Sequence, residues 1–394
     1  MTSPLDGVLV ADFSRVLAGP LCTVNLADLG ATVIKVERPG TGDDTRAWGP
    51  PWSPNGSTYF ESVNRSKRSV ALDLTEPADR ALALELACRA DVLVENYRPG
   101  TLQRHGLGYD QIRALNPGII YCSITGFGAT AGADLLGYDF VVQAMGGLMS
   151  ITGDPDGQPT KAGVALVDVL TGKDATIGVL AALASRAQSG HGCRVEVNLL
   201  SSLLGALVNQ AQGYLETGDA PRRMGKRHPS IAPYETLRCR DGLLAVACGN
   251  DGQFVRFAAV IGAPELSNDS RFVTNAARVA HRGELVAALE SALAGHDAAT
   301  WQTQLTAAQV PAGKVGTIAD GFALAERLGL APTLEVGPHH TRQVRHAVTF
   351  DPDLVTSPTP PPALGAHTDA IRAWLAERSG DALSTNHSTE EVHS

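Results

Sequence analysis

VLVADFSRVLAGPLCTVNLADLGATVIKVERPG, residues 8–40, decides how the first half of the chain is read. It opens on a β-branched run, Val8–Phe13, and passes into Cys22–Gly30, where Ala and Leu recur at helical spacing. It then returns to a second apolar run, Thr32–Val36. Strand, helix and strand in so short a stretch make a βαβ unit, the crossover that parallel strands require. Further runs follow at Ser69–Leu74, Val92–Asn96, Ile119–Ile124 and Val195–Leu200. Helical patterns cover Glu76–Ala90 and Thr171–Gln188, the second bounded by Gly190 and Gly192. Continuous apolar runs of this kind suit a parallel sheet buried on both faces, so the expected class is α/β.

Another helix is expected over Ser201–Glu216, and the texture changes near Gly218. Residues 218–234, rich in Gly, Pro and basic groups, read as a linker. A smaller α+β domain then spans 235–325. It starts with two short strands around Asp241-Gly242, a hairpin signal, and continues with amphipathic helices at about 252–262, 282–295 and 298–309. After Val310 the sequence reads as loops with β-like pieces at Leu334–Val336 and Val344–Phe350, a Pro-rich stretch at 358–362 and a helix near Thr368–Glu377. The large domain is thus residues 1–217, and residues 326–378 follow the smaller one. Residues 379–394 are polar and read as a disordered tail.

Composition narrows the function classes. The 394 residues carry 41 acidic and 32 basic side chains, a formal charge of −9. No field of the whole molecule steers it toward a polyanion, so neither a nucleic-acid binder nor a membrane-surface binder is expected. No apolar run approaches a membrane span, and MTSPLDGVLV has no signal-peptide pattern. The six cysteines are scattered without a metal-type spacing, so no metal is expected, and a reduced, cytoplasmic protein is the default reading.

No Walker A sequence occurs, and GFGATAG at 126–132 departs from the dinucleotide fingerprint. The most informative segment is GVALVDVLTGK, 163–173, where Asp168 stands alone in an apolar run ahead of a helix. Two readings remain open. Asp168 is an N-cap accepting backbone N–H groups, or it is a nucleophile that the helix N-terminus keeps ionised in a site poor in water. In GYDFVVQAMGG, 137–147, Tyr138 and Asp139 precede an apolar stretch, and the plain reading makes Tyr138 a core aromatic. Arg38, Arg46, Arg65, Lys67, Arg68, Arg98 and Arg104 all follow predicted strands or lie in loops, where open α/β sheets bind ligands. Such a basic collar suits phosphates. Gly249, in GND at 249–251, would permit close backbone approach to a ligand.

Taken in order, the segments resemble a family III CoA-transferase, of the carnitine-dehydratase and bile-acid-inducible (CaiB/BaiF) group. The matching motifs are DFSRVLAGP (12–20), LGATVIKVERPGTGDDTR (29–46), NRSKRSVALDL (64–74), DVLVENYRPG (91–100), IIYCSITGFG (119–128), GYDFVVQAMGG (137–147), VALVDVLTG (164–172), GNDGQF (249–254) and PPALGAHT (361–368). Within the family, ERPGTGDDTRAWGPPW and NRSKRS look most like the succinate–hydroxymethylglutarate branch and its dicarboxylate-using relatives.

The resemblance implies a Rossmann-like large domain, to which residues 326–378 return, and a small domain, in a homodimer of interlocked ring-shaped protomers. It places Asp168 on the family's catalytic aspartate, which carries the acyl group as an anhydride and CoA as a thioester. Acyl-CoA and a small carboxylic acid are the implied substrates. By motif position CoA would meet Val16, Leu17, Ala18, Arg38 and Leu72, with Arg38 a phosphate partner and backbone N–H groups near Leu17–Ala18 serving as donors. It would also meet Asn96, Tyr97, Arg98, Tyr138 and a second phosphate partner, Arg104. Asp139 replaces a glutamate beside the tyrosine. Arg46 and Arg227 are candidate cations for a distal carboxylate. Leu17 replaces the glutamine of formyl-CoA transferase, and GKRHPS stands where that enzyme has a tetraglycine loop, which points away from formyl or oxalate substrates. Two other functions compete. An α-methylacyl-CoA racemase of this fold uses a histidine near position 138, where tyrosine is a poor base at neutral pH. A non-catalytic acyl-CoA binder would need no nucleophile at all.

Overall fold

The six apolar runs of the sequence become six strands of one parallel sheet in the structure, a computed structural model that describes residues 3–355 and 357–384. The strands are β1 Leu9–Asp12, β2 Thr32–Glu37, β3 Lys67–Ala71, β4 Val92–Glu95, β5 Ile120–Thr125 and β6 Arg194–Asn198. Their order is β3-β2-β1-β4-β5-β6, each neighbour parallel. This is the doubly wound order in which the chain reverses direction between β1 and β4, so the loops leaving those two strands face a natural ligand crevice.

Alternate residues of each strand enter different cores. Val10, Val33, Val92, Val94 and Ile120 pack on one face with helices α1 Ala18–Asp28 and, further along the chain, Leu166–Ser189. Ala11, Ile34, Val70, Leu93 and Tyr121 pack on the other with α2 Pro77–Arg89 and the helix Thr368–Ser384. Each fully buried Val, Leu or Ile contributes roughly 1.5–3 kcal/mol. Helix α1 starts earlier than its Ala/Leu pattern suggests, because Pro20 is accommodated in a first turn that needs no amide donor. Strand β3 starts at Lys67, whose buried ammonium meets Asp12 at 3.1 Å.

The remaining helices of this unit include α3 Asp139–Met145, α4 Leu166–Ser189, α5 Leu199–Ala206 and α6 Val208–Thr217. The single helix expected over 201–216 is broken between α5 and α6, where Val208 takes φ +42°. Among the described residues no helix is long and apolar enough to cross a membrane.

The chain divides into two units. The large one comprises residues up to Leu148, Ala162–Thr217 and the chain from Ala331 onward; the small one comprises Met149–Lys161 and Gly218–Leu330. Three sequence expectations need correction here. Residues 149–161 leave the large unit because they bond to the segment after Gly218: Gly225 N–H donates to Gly153 O at 3.1 Å and Arg223 donates to Asp154 O and Gly157 O. The expected linker, 218–234, belongs to the small unit, where buried arginines satisfy several of its carbonyls. Arg282 donates to His228 O and Ile231 O, and Arg278 to Ala232 O. The helix expected near 368–377 runs on through Ser384, so 379–384 are helical; the rest of the expected tail lies outside the described residues.

In the small unit, strands β7 Tyr234–Arg238, β8 Leu243–Ala247 and β9 Ala312–Lys314 form an antiparallel sheet in the order β9-β8-β7. Helices α7 Asp251–Val260, α8 Arg282–Leu293 and α9 Ala298–Ala307 supply its core with Phe254, Leu285 and Trp301. A further helix, α10 Ile318–Arg327, lies where loops were expected. Its start is a capping box, Thr317 with Asp320, whose carboxylate also accepts the Thr317 N–H at 2.7 Å.

Candidate active site

The loop after β1 carries DFSRVLAGP, and every residue leading into it is fixed from below. Asp12 accepts the Ser14 N–H at 2.9 Å and bonds to the Ser14 hydroxyl. Lys35 donates to Ser14 O at 2.9 Å. The Asn96 side chain, from the loop after β4, accepts the Arg15 N–H at 2.8 Å and donates to Arg15 O at 2.7 Å, so the two switch-point loops are stapled together. Burial works against the Asp12 charge, but Lys67 and Lys35 outweigh it and hold its carboxyl down at about 2. Burial takes the Lys67 ammonium down to about 8 despite Asp12.

Beyond this support the pattern changes. Among the described residues the N–H groups of Leu17, Ala18 and Gly19 have no acceptor, as expected for the first turn of a helix. Arg15 lies over the Tyr97 ring at 5.2 Å, with its buried Nε unpartnered. Asp44 bridges Arg15 at 3.0 Å and Arg38 at 2.7 Å.

Asp168 sits in the first turn of α4, whose N-cap is Ala165. Its carboxylate is not the cap. Buried Asp139 takes that role from outside the helix, accepting the N–H of Val167 at 2.7 Å and of Asp168 at 3.3 Å, while Gln143 donates to its other oxygen at 2.6 Å. The Gln143 carbonyl oxygen in turn accepts the Ala162 N–H at 2.8 Å. Asp168's own carboxylate accepts no hydrogen bond among the described residues. Burial and the negative charge of Asp139 push it up to about 7. The sequence reading that the helix N-terminus keeps Asp168 ionised is therefore corrected: the amides that would stabilise its anion are already given to Asp139.

Gly172 lies one turn beyond Asp168 on the same helix face. A Cβ there would stand 2.7 Å from Ala18 O, so only glycine allows α4 to approach the start of α1 this closely. That contact brings Asp168 beside Leu17 and Ala18. All three line one cavity of about 260 Å³ together with Arg15, Asn96 and Tyr138. Tyr59 is also close: burial and the charges of Asp168, Asp139 and Asp43 push its hydroxyl up to about 12, and Trp48 packs on its ring at 5.2 Å.

Residues 5–368 match the sequence profile of CoA-transferase family III. The chain belongs to CoA-transferase family III. It is similar to the succinyl-CoA:glutarate CoA-transferase of Mus musculus, 42% identical over 372 residues, which are 93% of this chain and 85% of that one. The acetyl-CoA:oxalate CoA-transferase of Acetobacter aceti is 43% identical over 325 residues, 82% of this chain and 83% of that one. A crystal structure of a CAIB/BAIF family protein from Brucella suis aligns with TM-score 0.86 and 43% identity, over 95% of this chain and all of that one. As a family III CoA-transferase, the protein is an acyl-CoA:carboxylate CoA-transferase.

The residues expected to serve this family III enzyme converge only in part. Val16, Leu17, Ala18, Asn96, Tyr97, Arg98, Tyr138 and Asp168 line the same cavity. Tyr138 is not a core aromatic, being 61% exposed at the N-cap of α3. Arg38 and Arg104 are exposed outside the cavity lining, Arg38 held by Asp44 and Arg104 reaching only Thr101 Oγ1 at 3.4 Å. The Leu72 side chain is buried in the core beneath β3. Arg46 is not a free cation: it makes a two-pronged contact with Glu37, donates to Pro362 O and stacks on Phe60. Arg227 and Gly249 belong to the small unit, bonded to Met224 O and Gln253 respectively. Sequence reading missed Arg15, Asp44, Trp48 and Tyr59. Arg15 was within reach, since it adjoins Val16 in the same motif; Tyr59 sits in a segment with no periodic signal.

Proposed function

We propose that Asp168 is the nucleophile of CoA transfer, and that its uncapped, unpaired carboxylate in the cavity is the observation that carries this reading. An Asp168 oxygen attacks the donor thioester carbonyl; the resulting tetrahedral oxyanion collapses, the C–S bond breaks, and CoA leaves as thiolate from a mixed aspartyl anhydride. The thiolate then attacks the aspartyl carbonyl, releasing the donor carboxylate and leaving an aspartyl-CoA thioester. The acceptor carboxylate reverses both steps and restores Asp168. Each addition places negative charge on an oxygen, and the unused N–H groups of Leu17 and Ala18 are suited to receive it; one such donor contributes about 2.7–4 kcal/mol in other acyl-transfer sites. A carboxylate raised to about 7 is a stronger nucleophile than an ordinary one and is still largely ionised just above neutrality.

Arg15, Arg38, Arg98 and Arg104 supply the cations for CoA phosphates. For the acyl groups we propose succinyl-CoA as donor and a dicarboxylate as acceptor, supported by the mouse relative's substrates. Because the Acetobacter aceti relative acts on oxalate at similar identity, oxalate belongs in the acceptor panel. The working form is proposed to be a cytoplasmic homodimer of interlocked protomers. Support comes from apolar side chains left open on α3, α5 and α6, among them Phe140, Met145, Leu204, Val208 and Leu215. Light scattering checks the dimer, and a monomer at micromolar concentration would count against it.

The deciding experiment incubates the protein with succinyl-CoA and hydroxylamine, then maps the modified peptide. A hydroxamate at Asp168 is expected. Steady CoA exchange with no adduct at that position rules out the covalent route, and Cα deuterium exchange without CoA transfer points to racemase chemistry instead.

A further inference from the structure

The loop that presents Leu17 and Ala18 stands on a buried ion pair with no role in the steps above. Lys35 Nζ and Asp43 Oδ2 are 2.9 Å apart, and neither side chain is exposed at all. Asp43 receives the Val16 N–H at 3.2 and 3.3 Å and the Thr45 N–H at 3.0 Å, while its own N–H goes to Glu37 at 2.9 Å. Val16 has φ +69°. A β-branched residue enters that left-handed region only under strain, and keeps it only where its surroundings over-determine it. They do so here from both sides: Asn96 fixes both backbone groups of Arg15, and Asp43 fixes the Val16 N–H. A buried ion pair adds little net stability, so its presence under a strained loop asks for another explanation.

We infer that Asp43, held in place by Lys35, is a positioning residue for acyl transfer: it locks Val16 in the left-handed conformation and thereby aims the Leu17 and Ala18 N–H groups at the reacting carbonyl. This rests on the proposed role of those two groups as oxyanion donors. Asp43 is not among the residues that line the cavity; it acts through one backbone dihedral. Without it, Val16 relaxes toward ordinary negative φ and the next two amides swing away.

The test uses exchange of radiolabelled succinate into succinyl-CoA, which needs the donor half-reaction alone. Asparagine has one acceptor oxygen, so its NH2 must face either the Lys35 ammonium or the Val16 and Thr45 N–H groups; Asp43→Asn should therefore lower kcat by about 10²-fold while KM changes by less than about threefold, because donors that act on the oxyanion favour the transition state over bound substrate. Val16→Gly, where left-handed φ carries no strain, is the reference background, and in it Asp43→Asn should recover at least tenfold of the lost kcat, read against Val16→Gly itself. A purely structural Asp43 would give no such recovery. Should Asp43→Asn fail to fold, Val16→Pro, with φ fixed near −65°, should give the same loss of kcat. Wild-type kcat in Asp43→Asn or Val16→Pro, or no recovery in the double variant, overturns the inference. Activity in Asp168→Ala would instead overturn the nucleophile reading, so the two failures are separable.

Discussion

The small and large units both hold charged side chains out of water, but they finish the task differently. In the small unit, Arg278 is fully buried and donates to Ala232 O at 2.6 Å, Phe272 O at 2.9 Å and Asp251 at 2.7 Å. Arg282 meets Glu235 at 2.9 Å and two further carbonyls. These cations hold the irregular segment that leads into β7. In the large unit, Lys35 and Lys67 are matched just as fully, yet Asp168 accepts nothing and has another acid as its neighbour. Buried polar groups ordinarily find partners. The unit that leaves this acid unpaired holds unspent interaction energy where a substrate can use it, and that difference separates a structural charge from a chemical one.

The strongest way to break this contrast is to neutralise the unmatched acid. Asp168→Asn should cut CoA transfer by at least roughly 10³-fold. It should also stabilise the protein. The folded-state pKa of Asp168 lies above its ordinary value of 3.8, at about 7, so the folded state keeps a proton that the unfolded chain has released. Wild-type stability therefore falls as pH rises across that window, and the cost stays constant above it. Asparagine does not titrate, so its advantage should grow from pH ~4 to ~7 and level off at roughly 1–3 kcal/mol, after discounting for partial exposure. Denaturant melts at several pH values check this; an Asn variant less stable than wild type at pH ~8 would mean the carboxylate is structural after all. The converse substitution, Arg278→Met, should cost about 3–5 kcal/mol, because it strips the Ala232 and Phe272 carbonyls of their donor. A loss below ~1 kcal/mol would show that the small unit's buried charges are dispensable.

How much of this was legible in the sequence follows from the range of the forces involved. The six strands were readable because a parallel sheet buried on both faces writes itself as unbroken apolar runs, and Val92–Glu95 is buried throughout. Asp168 was readable because a lone acid in such a run is costly unless it has a task. That Asp139 and not Asp168 caps α4 was not readable, because the two lie 29 residues apart and only the fold brings them together. Nor was the capture of residues 149–161 by the small unit, which rests on a few long-range bonds from Arg223 and Gly225. Composition took 218–234 for a linker because a segment held by other residues' side chains has no periodicity of its own. Arg46 shows the same limit: its loop position suggested a free cation, and Glu37 had already claimed it.

A smaller perturbation sharpens the comparison by moving the unmatched acid without changing it. In Gly172→Ala the new methyl would meet Ala18 O at 2.7 Å, forcing α4 and α1 apart at a cost of about 1–3 kcal/mol. Because the same contact sets Asp168 beside Leu17 and Ala18, kcat should fall by about tenfold or more, beyond what the lost stability explains at assay temperature. Equal kcat with a lowered melting temperature would detach helix packing from the chemistry.

The mildest change tests which physical cause raises Asp168. In free enzyme the acid limb of the kcat/KM profile should follow its ionisation, with a midpoint at about 7 and activity lost as pH falls below it. Asp139→Asn keeps an oxygen for the Val167 N–H but removes the neighbouring charge, so the limb should move to lower pH. Burial is the larger of the two causes, and the substitution leaves it in place, so the shift should be less than half of the way back toward 3.8. Gln143 must also turn its amide to suit the new side chain and give up its bond to the Ala162 N–H, which costs about 0.5–1.5 kcal/mol of stability. A limb that does not move would mean that Asp139 acts on α4 through its hydrogen bonds alone. One that drops nearly to the ordinary carboxylate value would mean that a like charge, and not the exclusion of water, is what separates this acid from the matched charges of the small unit.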